Sequence, residues 1–234
     1  MTVAQELLPL TVGVYSPAEA ARLVGKRSDW VRRLSKGYAF RGRDGRPSAS
    51  PPLFKRQLGD IKGKTALSFL DLVELLFIRD FLEEGVSLYV IRRAAEVAAE
   101  MFSADHPFCV KQFQTDGKAI FARASNEVGD DQMVDLVKRQ HVFSRVVSPF
   151  MKQLDYDAVS GDVRRWFPLG KRVPVVLDPS FSFGAPIIAE TGVPTSVLFS
   201  AHKSGDSDQD IASWYEVSVS AVRAAIEFES QLAA

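Results

Sequence analysis

Four residues, Ser16-Pro17-Ala18-Glu19, constrain the fold more than any other stretch of this chain. Ser at an N-cap accepts from the backbone N–H three residues on, and Glu at that third position reaches back to the cap's own N–H. Pro is pre-set for the first helical turn. A helix therefore starts here, with Ala20, Ala21, Leu23 and Val24 as its apolar side and Gly25 as its stop. Ser28 caps a second helix, Asp29 to Lys36, stopped by Gly37. Trp30, Val31 and Leu34 fall on its buried face, which leaves Arg27, Arg32, Arg33, Ser35 and Lys36 towards solvent. Two short helices across a tight Gly turn, the second of them basic, predict a helix-turn-helix. From Tyr38 to Gln57, turn signals at Gly42, Asp44-Gly45, Pro47 and Pro51-Pro52 alternate with further Arg and Lys, which predicts a long basic hairpin or wing.

The formal net charge of zero conceals this segment. Between Arg22 and Lys64 there are 13 Lys or Arg against three Asp, an excess of ten positive charges. The remainder carries 16 basic and 26 acidic residues. A basic module joined to an acidic body of equal and opposite charge is the pattern of a nucleic-acid-binding unit fused to a partner-binding or dimerising one. Met1 to Leu10 lacks the basic start and apolar run of a signal peptide, and no apolar stretch reaches the ~18 residues of a membrane span. A lone Cys109 excludes an internal disulfide framework and a Cys-based zinc site. A cytoplasmic protein is expected.

Met1 to Val14 is a short lead-in whose Leu7, Leu8, Leu10, Val12 and Val14 can add a strand or pack on the first helix. Beyond the basic segment, a strongly apolar helix opens at Leu67-Ser68-Phe69-Leu70-Asp71 and ends at Gly85. Its stripe is too wide for one face, so it is buried on most sides. Ser87 caps a further helix, Leu88 to Phe102, whose Ala-rich side allows close antiparallel approach to the one before. Between Asp105 and Ser125 the residues alternate around an Asp116-Gly117 pair, which predicts a β-hairpin. Asn126 to Asp131 reads as a polar loop, and Gln132 to Lys152 as one helix interrupted near Pro149. Trp166 to Leu177 is extended. A small hairpin around Ile187-Ile188 and Val193 follows, then three helices near Pro194 to Lys203, Ser207 to Trp214 and Ser218 to Gln231. The expected fold class is mainly α with small β elements. It comprises an N-terminal winged helix-turn-helix (residues 1–102), a connecting β-hairpin and helix region (103–176) and a small helical, helix-turn-helix-like domain (177–234).

Two family resemblances follow from the motifs. Tyr15-Ser16-Pro17-Ala18-Glu19-Ala20-Ala21-Arg22, the basic second helix, the wing, Leu67-Ser68-Phe69-x-Asp71 and Leu82-x-x-Gly85-Val86-Ser87-Leu88-x-x-Ile91-Arg92 resemble the DNA-binding domain of the MerR family. The long dimerisation coil and effector-sensing Cys of that family have no counterpart here. From Pro179 the order Phe183-Gly184-x-Pro186-Ile187-Ile188, Thr191, Val193-Pro194-Thr195, Gly205-Asp206-Ser207, Asp210-Ile211, Tyr215, Val217-Ser218, Val222 and Ala225 resembles domain-of-unknown-function family 433, common in bacterial antitoxins. Glu190 and Gly192 depart from its usual Gly and Arg. Together the two resemble a VapB-type antitoxin of a toxin–antitoxin system. They imply autorepression of an operon and neutralisation of a PIN-type ribonuclease.

Enzyme chemistry is not indicated. His106, His141 and His202 are far apart in the sequence and form no ligand-spaced pair. Neither a phosphate loop nor triad spacing is present, and no cofactor is called for. The expected DNA contacts are Arg27, Ser28, Arg32, Arg33 and Lys36 in or beside the major groove. Arg41, Arg43, Arg46, Lys55 and Arg56 would reach from the wing to phosphates or the minor groove. The expected partners are double-stranded operator DNA, the toxin and a second copy of the chain, without a membrane. Two other classes fit the same residues. One is a protein-interaction module whose basic residues are consumed by internal acids. The other is a one-component regulator with a small-molecule pocket lined by Phe143, Phe150, Trp166 and Phe167.

Overall fold

The computed structural model describes residues 11–42, 45–128 and 136–233, without the side chains of residues 136–140 and 151. Helices dominate, and the strands pair in small sheets. The chain divides into two compact units, Tyr15–Arg164 and the rest of the described residues, 11–14 and 165–233.

The first unit opens with α1 (Pro17–Leu23) and α2 (Ser28–Lys36). The capping box forms as its chemistry demands: Glu19 N–H donates to Ser16 Oγ at 3.2 Å and Ser16 N–H to Glu19 Oε2 at 2.7 Å. Helix α2 begins one residue earlier than expected, with Ser28 inside it and Arg27 at the cap without a side-chain bond. Ser35 is buried rather than solvent-facing. It lies four residues after Val31 on the same face, and its hydroxyl donates to Val31 O at 2.8 Å. Trp30 is only half-buried.

The expected wing is present as β1 (Tyr38–Arg41) paired antiparallel with β2 (Pro47–Ser50), followed by the smaller ladder of β3 (Asp60–Ile61) and β4 (Lys64–Thr65). Gly37 joins α2 to β1 at φ +75°, and a Cβ there would come within 2.4 Å of Ser50 O. Only glycine allows the helix end to meet the base of the hairpin so closely.

Helix α3 (Phe69–Glu83) is buried along most of its length, and α4 (Leu88–Phe102) follows with Ser87 as its cap. The Ala-rich side of α4 chiefly receives α5 rather than α3. The expected β-hairpin of Asp105 to Ser125 is overturned. Pro107–Cys109 is a single 3-10 turn, and α5 runs from Phe113 to Val128. Buried Phe113, Gly117, Ile120, Phe121 and Ala124 recur at helical spacing, a longer pattern than the local alternation that suggested strands. Asp116-Gly117 makes no turn. Gly117 is where α6 (Leu136–Gln153) crosses, with the Phe143 ring 2.4 Å from the position a Cβ would take. Helix α6 continues through Pro149 without interruption, although proline removes one intrahelical donor. The core here is a stack of phenylalanines. Phe77 meets Phe150 at 4.2 Å between centroids, Phe81 meets Phe121 at 4.3 Å, and Phe108 meets Phe113 at 4.8 Å. A strand, β5 (Leu154–Tyr156), leads by way of the Asp157 N–H to Asp162 O bond into β6 (Val163–Trp166).

In the second unit, Trp166 pairs with Leu177 of β7 (Val175–Leu177), and β7 pairs antiparallel with β8 (Pro186–Ile188). Phe167, Val176 and Ile187 form a small core. Helices α7 (Thr195–Lys203), α8 (Asp208–Trp214) and α9 (Val219–Ala233) complete it. Ser207 caps α8 by accepting from Asp210 N–H. The Thr195 hydroxyl donates to the buried Glu229 carboxylate, tying the start of α7 to α9. Of the lead-in, Leu7, Leu8 and Leu10 lie outside the described residues. Val14 N–H donates to Phe183 O at 2.9 Å.

Candidate nucleic-acid interface

Burying Val31, Leu34 and Ser35 turns the opposite face of α2 outwards, and that face carries the cations. Arg27 is exposed and its guanidinium bonds its near neighbour Asp29, at 3.1 Å, which holds the Asp29 carboxyl below its ordinary range. Ser28 is half-buried at the helix start. Arg32 projects into solvent with no ion-pair partner within the described residues. The guanidinium of Arg33 lies 4.1 Å from the centre of the Tyr38 ring, so α2 and β1 present a cation and an aromatic side by side. Arg41, at the far end of β1, is exposed and unpaired within the described residues. Arg46, one residue before the Pro47 that pairs with Arg41, is exposed, its carbonyl accepting from Gly42 N–H at 2.9 Å. Arg43 lies outside the described residues.

The remaining expected contacts are spent internally. Asp60 accepts Lys36 Nζ at 3.0 Å and the Arg56 guanidinium at 3.0 Å, and these two hydrogen bonds hold its carboxyl below the ordinary range. Arg56 also donates to Ala66 O at 3.2 Å. Lys55 pairs with Asp105 at 2.9 Å. The structure therefore separates the sequence-selected residues into an outward set on α2 and the wing (Arg27, Arg32, Arg33, Arg41, Arg46) and a set that braces the module (Lys36, Lys55, Arg56).

Two supports were not singled out from the sequence. Arg92 of α4 donates to Pro52 O at 2.7 Å, Pro51 O at 3.0 Å and Ser50 Oγ at 3.2 Å, so it clamps the outgoing end of the wing. Its place directly after Ile91, in the Gly85-Val86-Ser87-Leu88-x-x-Ile91-Arg92 stretch at the start of α4, was the available signal. The second support is a buried polar cluster. Asp71 accepts Gln57 N–H at 3.2 Å and Ser68 N–H at 2.8 Å, and it meets His106 Nε2 at 2.7 Å. Glu74, one turn on, accepts Phe108 N–H at 2.9 Å. Burial pushes Glu74 up to about 7 against the opposing pull of His106. Burial also opposes the His106 cation, but the Asp71 hydrogen bond and the Glu74, Asp71 and Asp105 charges outweigh it, so its pKa is raised. The cluster joins the end of the wing, the start of α3 and the 3-10 turn; no sequence spacing reveals it, because its members lie 35 residues apart.

The four aromatics proposed to line a ligand pocket pack elsewhere. Phe143 and Phe150 belong to the phenylalanine stack, and Trp166 and Phe167 are buried beside β7. Cys109 is buried, with its thiol pushed up by burial and donating to Leu70 O. Among the described residues no group of three or more His, Cys, Asp or Glu is arranged to hold a metal ion, and no helix is long and apolar enough to cross a membrane.

Comparison with known proteins adds to this geometry at the C-terminal end. Residues 175–228 match the family model of a protein of unknown function, DUF433. Over 234 residues the chain is 24% identical to a protein of Mycobacterium tuberculosis (strain ATCC 25618 / H37Rv) named "Putative antitoxin VapB45", a match covering 95% of this chain and 97% of the relative. The crystal structure of Rv2018 from Mycobacterium tuberculosis has the same fold. The two superpose with a TM-score of 0.71 over 91% of this chain and 96% of that one, at 21% identity. The DUF433 match covers β7, β8 and α7 to most of α9, the stretch whose motifs carried that resemblance.

Proposed function

We propose that this chain is a non-catalytic, cytoplasmic antitoxin of a type II toxin–antitoxin pair. In this reading it neutralises a PIN-type ribonuclease and, as a homodimer, binds operator DNA to repress its own operon. The near full-length similarity to a protein with an antitoxin name supports the first part. The observation that carries the second is the outward cationic face of α2 beside the wing, where Arg32 and Arg41 have no internal partner among the described residues and Arg33 is stacked on Tyr38. The MerR likeness of Ser16 to Phe102 supports the same placement through its motifs.

In this reading α2 enters the major groove. Arg32 and Arg33 donate to guanine edges or phosphates, and Ser28 can serve either base type. Arg41 and Arg46 hold the backbone from the wing. A two-fold dimer sets two such modules about one helical turn (~34 Å) apart on a palindrome. With about five phosphates neutralised per module, log affinity falls with log salt at a slope near −4 to −5. Titrating the DNA upstream of the gene at several salt concentrations tests this; a flat response would remove DNA binding from the proposal.

The ion pairs of Lys36, Arg56 and Lys55 favour one competing reading, a protein-interaction module whose basic residues serve internal cohesion. The same titration separates the two, because that module would leave the DNA unbound at every salt concentration.

A further inference from the structure

One short segment, residues 53–60, separates the buried Asp71, Glu74 and His106 cluster from α2, and it is held on both sides. Towards α2, Leu53 N–H donates to Leu34 O at 2.8 Å, and Asp60 takes both Lys36 and Arg56 at 3.0 Å. Towards the cluster, Gln57 N–H donates to Asp71 Oδ1 at 3.2 Å. The Phe54 ring lies 6.4 Å from the His106 ring, and Lys55 pairs with Asp105 at 2.9 Å. Residues 53–60 are a strap between buried titratable groups and the helix that carries the outward cations.

Asp71 is 0%, Glu74 1% and His106 6% exposed. Asp71 accepts from Gln57 and Ser68 N–H and meets His106 Nε2, the acceptor-only pattern of an ionised carboxylate. With protons on both Glu74 and His106, one cation faces one anion. With both protons gone, two carboxylates share a dry site that holds no cation, a state that burial penalises heavily. Burial pushes Glu74 up to about 7, so its change of state falls near neutrality. The other charged and titratable groups around the cluster do not offset this. Lys55 is spent on Asp105, with Glu96 of α4 beside them and bonded to Arg93. Arg56 is spent on Asp60 and Ala66 O. The Cys109 thiol, which Asp162 also faces, is kept protonated by burial.

We propose that Asp71, Glu74 and His106 form a proton-sensitive latch on this strap. Protonated, the cluster holds residues 53–60 against α2 in the DNA-binding arrangement; deprotonated, it releases them and weakens DNA binding. This rests on the DNA-binding reading above. In the held state Gln57 N–H stays on Asp71 and Leu53 N–H on Leu34 O. In the released state both bonds open and water hydrates the two carboxylates. The way in is the cleft beside Asp105 and Pro107, because Phe54 and Lys55 of the strap form its wall. Each site then biases the same two-state element, so DNA binding takes up protons and protons favour DNA binding by the same factor.

The test titrates labelled upstream DNA with the full chain from pH 6 to 8.5 at constant salt. Glu74→Gln keeps the acceptor for Phe108 N–H and imitates the protonated carboxyl at every pH. The parent's affinity is expected to fall about 10-fold across the range, a coupling of ordinary size, and that of Glu74→Gln by less than about threefold. His106→Gln keeps a donor for Asp71 but loses the cation, and is expected to bind more weakly than the parent already at pH 6. Hydrogen exchange without DNA, corrected for the intrinsic effect of pH, is expected to show Leu53 and Gln57 losing protection over the same range in the parent and keeping it in Glu74→Gln. A flat parent profile, or equal falls in parent and Glu74→Gln, overturns the latch and leaves DNA binding standing. An affinity change without loss of protection at Leu53 and Gln57 overturns the strap as its route. A parent chain that leaves the DNA unbound at every pH overturns the DNA-binding reading and the latch with it.

Discussion

The chain contains two short helix pairs of similar outline, α1–α2 and α8–α9, and they differ in charge rather than in construction. Each opens on a Ser cap, Ser16 for the first and Ser207 for the second, and each buries alanine along its first helix, Ala20 and Ala21 in α1 and Ala212 in α8. Helix α2 turns Arg27, Arg32 and Arg33 outwards. Helix α9 offers Arg223, which is already bonded to Asp208 at 3.0 Å, beside Glu227. A helix-turn-helix is therefore a way of packing two helices. Whether it can approach a polyanion depends on the few side chains left on its open face.

The largest effect that could break this comparison comes from those side chains. The double variant Arg32→Ala/Arg33→Ala should lose DNA affinity by at least about 100-fold, since each good base contact is worth about 1–3 kcal/mol. Arg223→Ala should lose none. Fluorescence anisotropy with labelled upstream DNA measures both, and equal losses would erase the distinction between the pairs.

A stability change confined to the unit that holds the second pair comes next. Thr195→Val removes the hydroxyl that meets the buried Glu229 carboxylate and should cost about 1–3 kcal/mol. Chemical denaturation should show a weakened C-terminal unit while DNA affinity at moderate temperature is retained.

The two units should also respond differently to pH. Glu74 and His106, both in the first unit, have folded pKa values raised above their unfolded ones. The folded state then binds more protons than the unfolded state, so their contribution is fully present below the unfolded values. It is lost as pH rises through the folded ones, for Glu74 from about 4.5 to about 7. Thermal melts from pH 5 to 8 should show stability falling with pH. Glu74→Gln should flatten the lower part of that fall; an unchanged profile would remove the buried carboxyl from the account.

The smallest effect sharpens the division between outward and bracing cations. Asp60→Asn removes the charge partner of Lys36 and Arg56. Surface ion pairs of this kind contribute about 0–1 kcal/mol, so stability should change little. DNA affinity should rise a few-fold, with a steeper salt slope, because two cations become available. Unchanged affinity and slope would show that both remain committed to bracing.

Much of the site was legible in advance because its determinants are local. The capping box at Ser16 and the glycine stop at position 37 act over a few residues, and the charge excess from Arg22 to Lys64 lies in one contiguous stretch. The division of the cations was not legible. Lys36 and Asp60 are 24 residues apart, and Lys55 and Asp105 are 50 apart. The middle of the chain misled for a related reason. Alternation around Asp116-Gly117 is a short-range signal, and it lost to the packing of Phe113 and Phe121 against α3 and α6.

By itself the sequence determined where helices start, which face of each is apolar, and that a basic module precedes an acidic one, because capping, periodicity and charge are properties of neighbouring residues. Only the tertiary structure decided which cations face outward and which brace the module, that Arg92 clamps the wing, that Asp71 and His106 meet in the core, and that residues 113–128 are helical. Each of those depends on a partner brought close by packing, and burial changes what a charge or a ring can do.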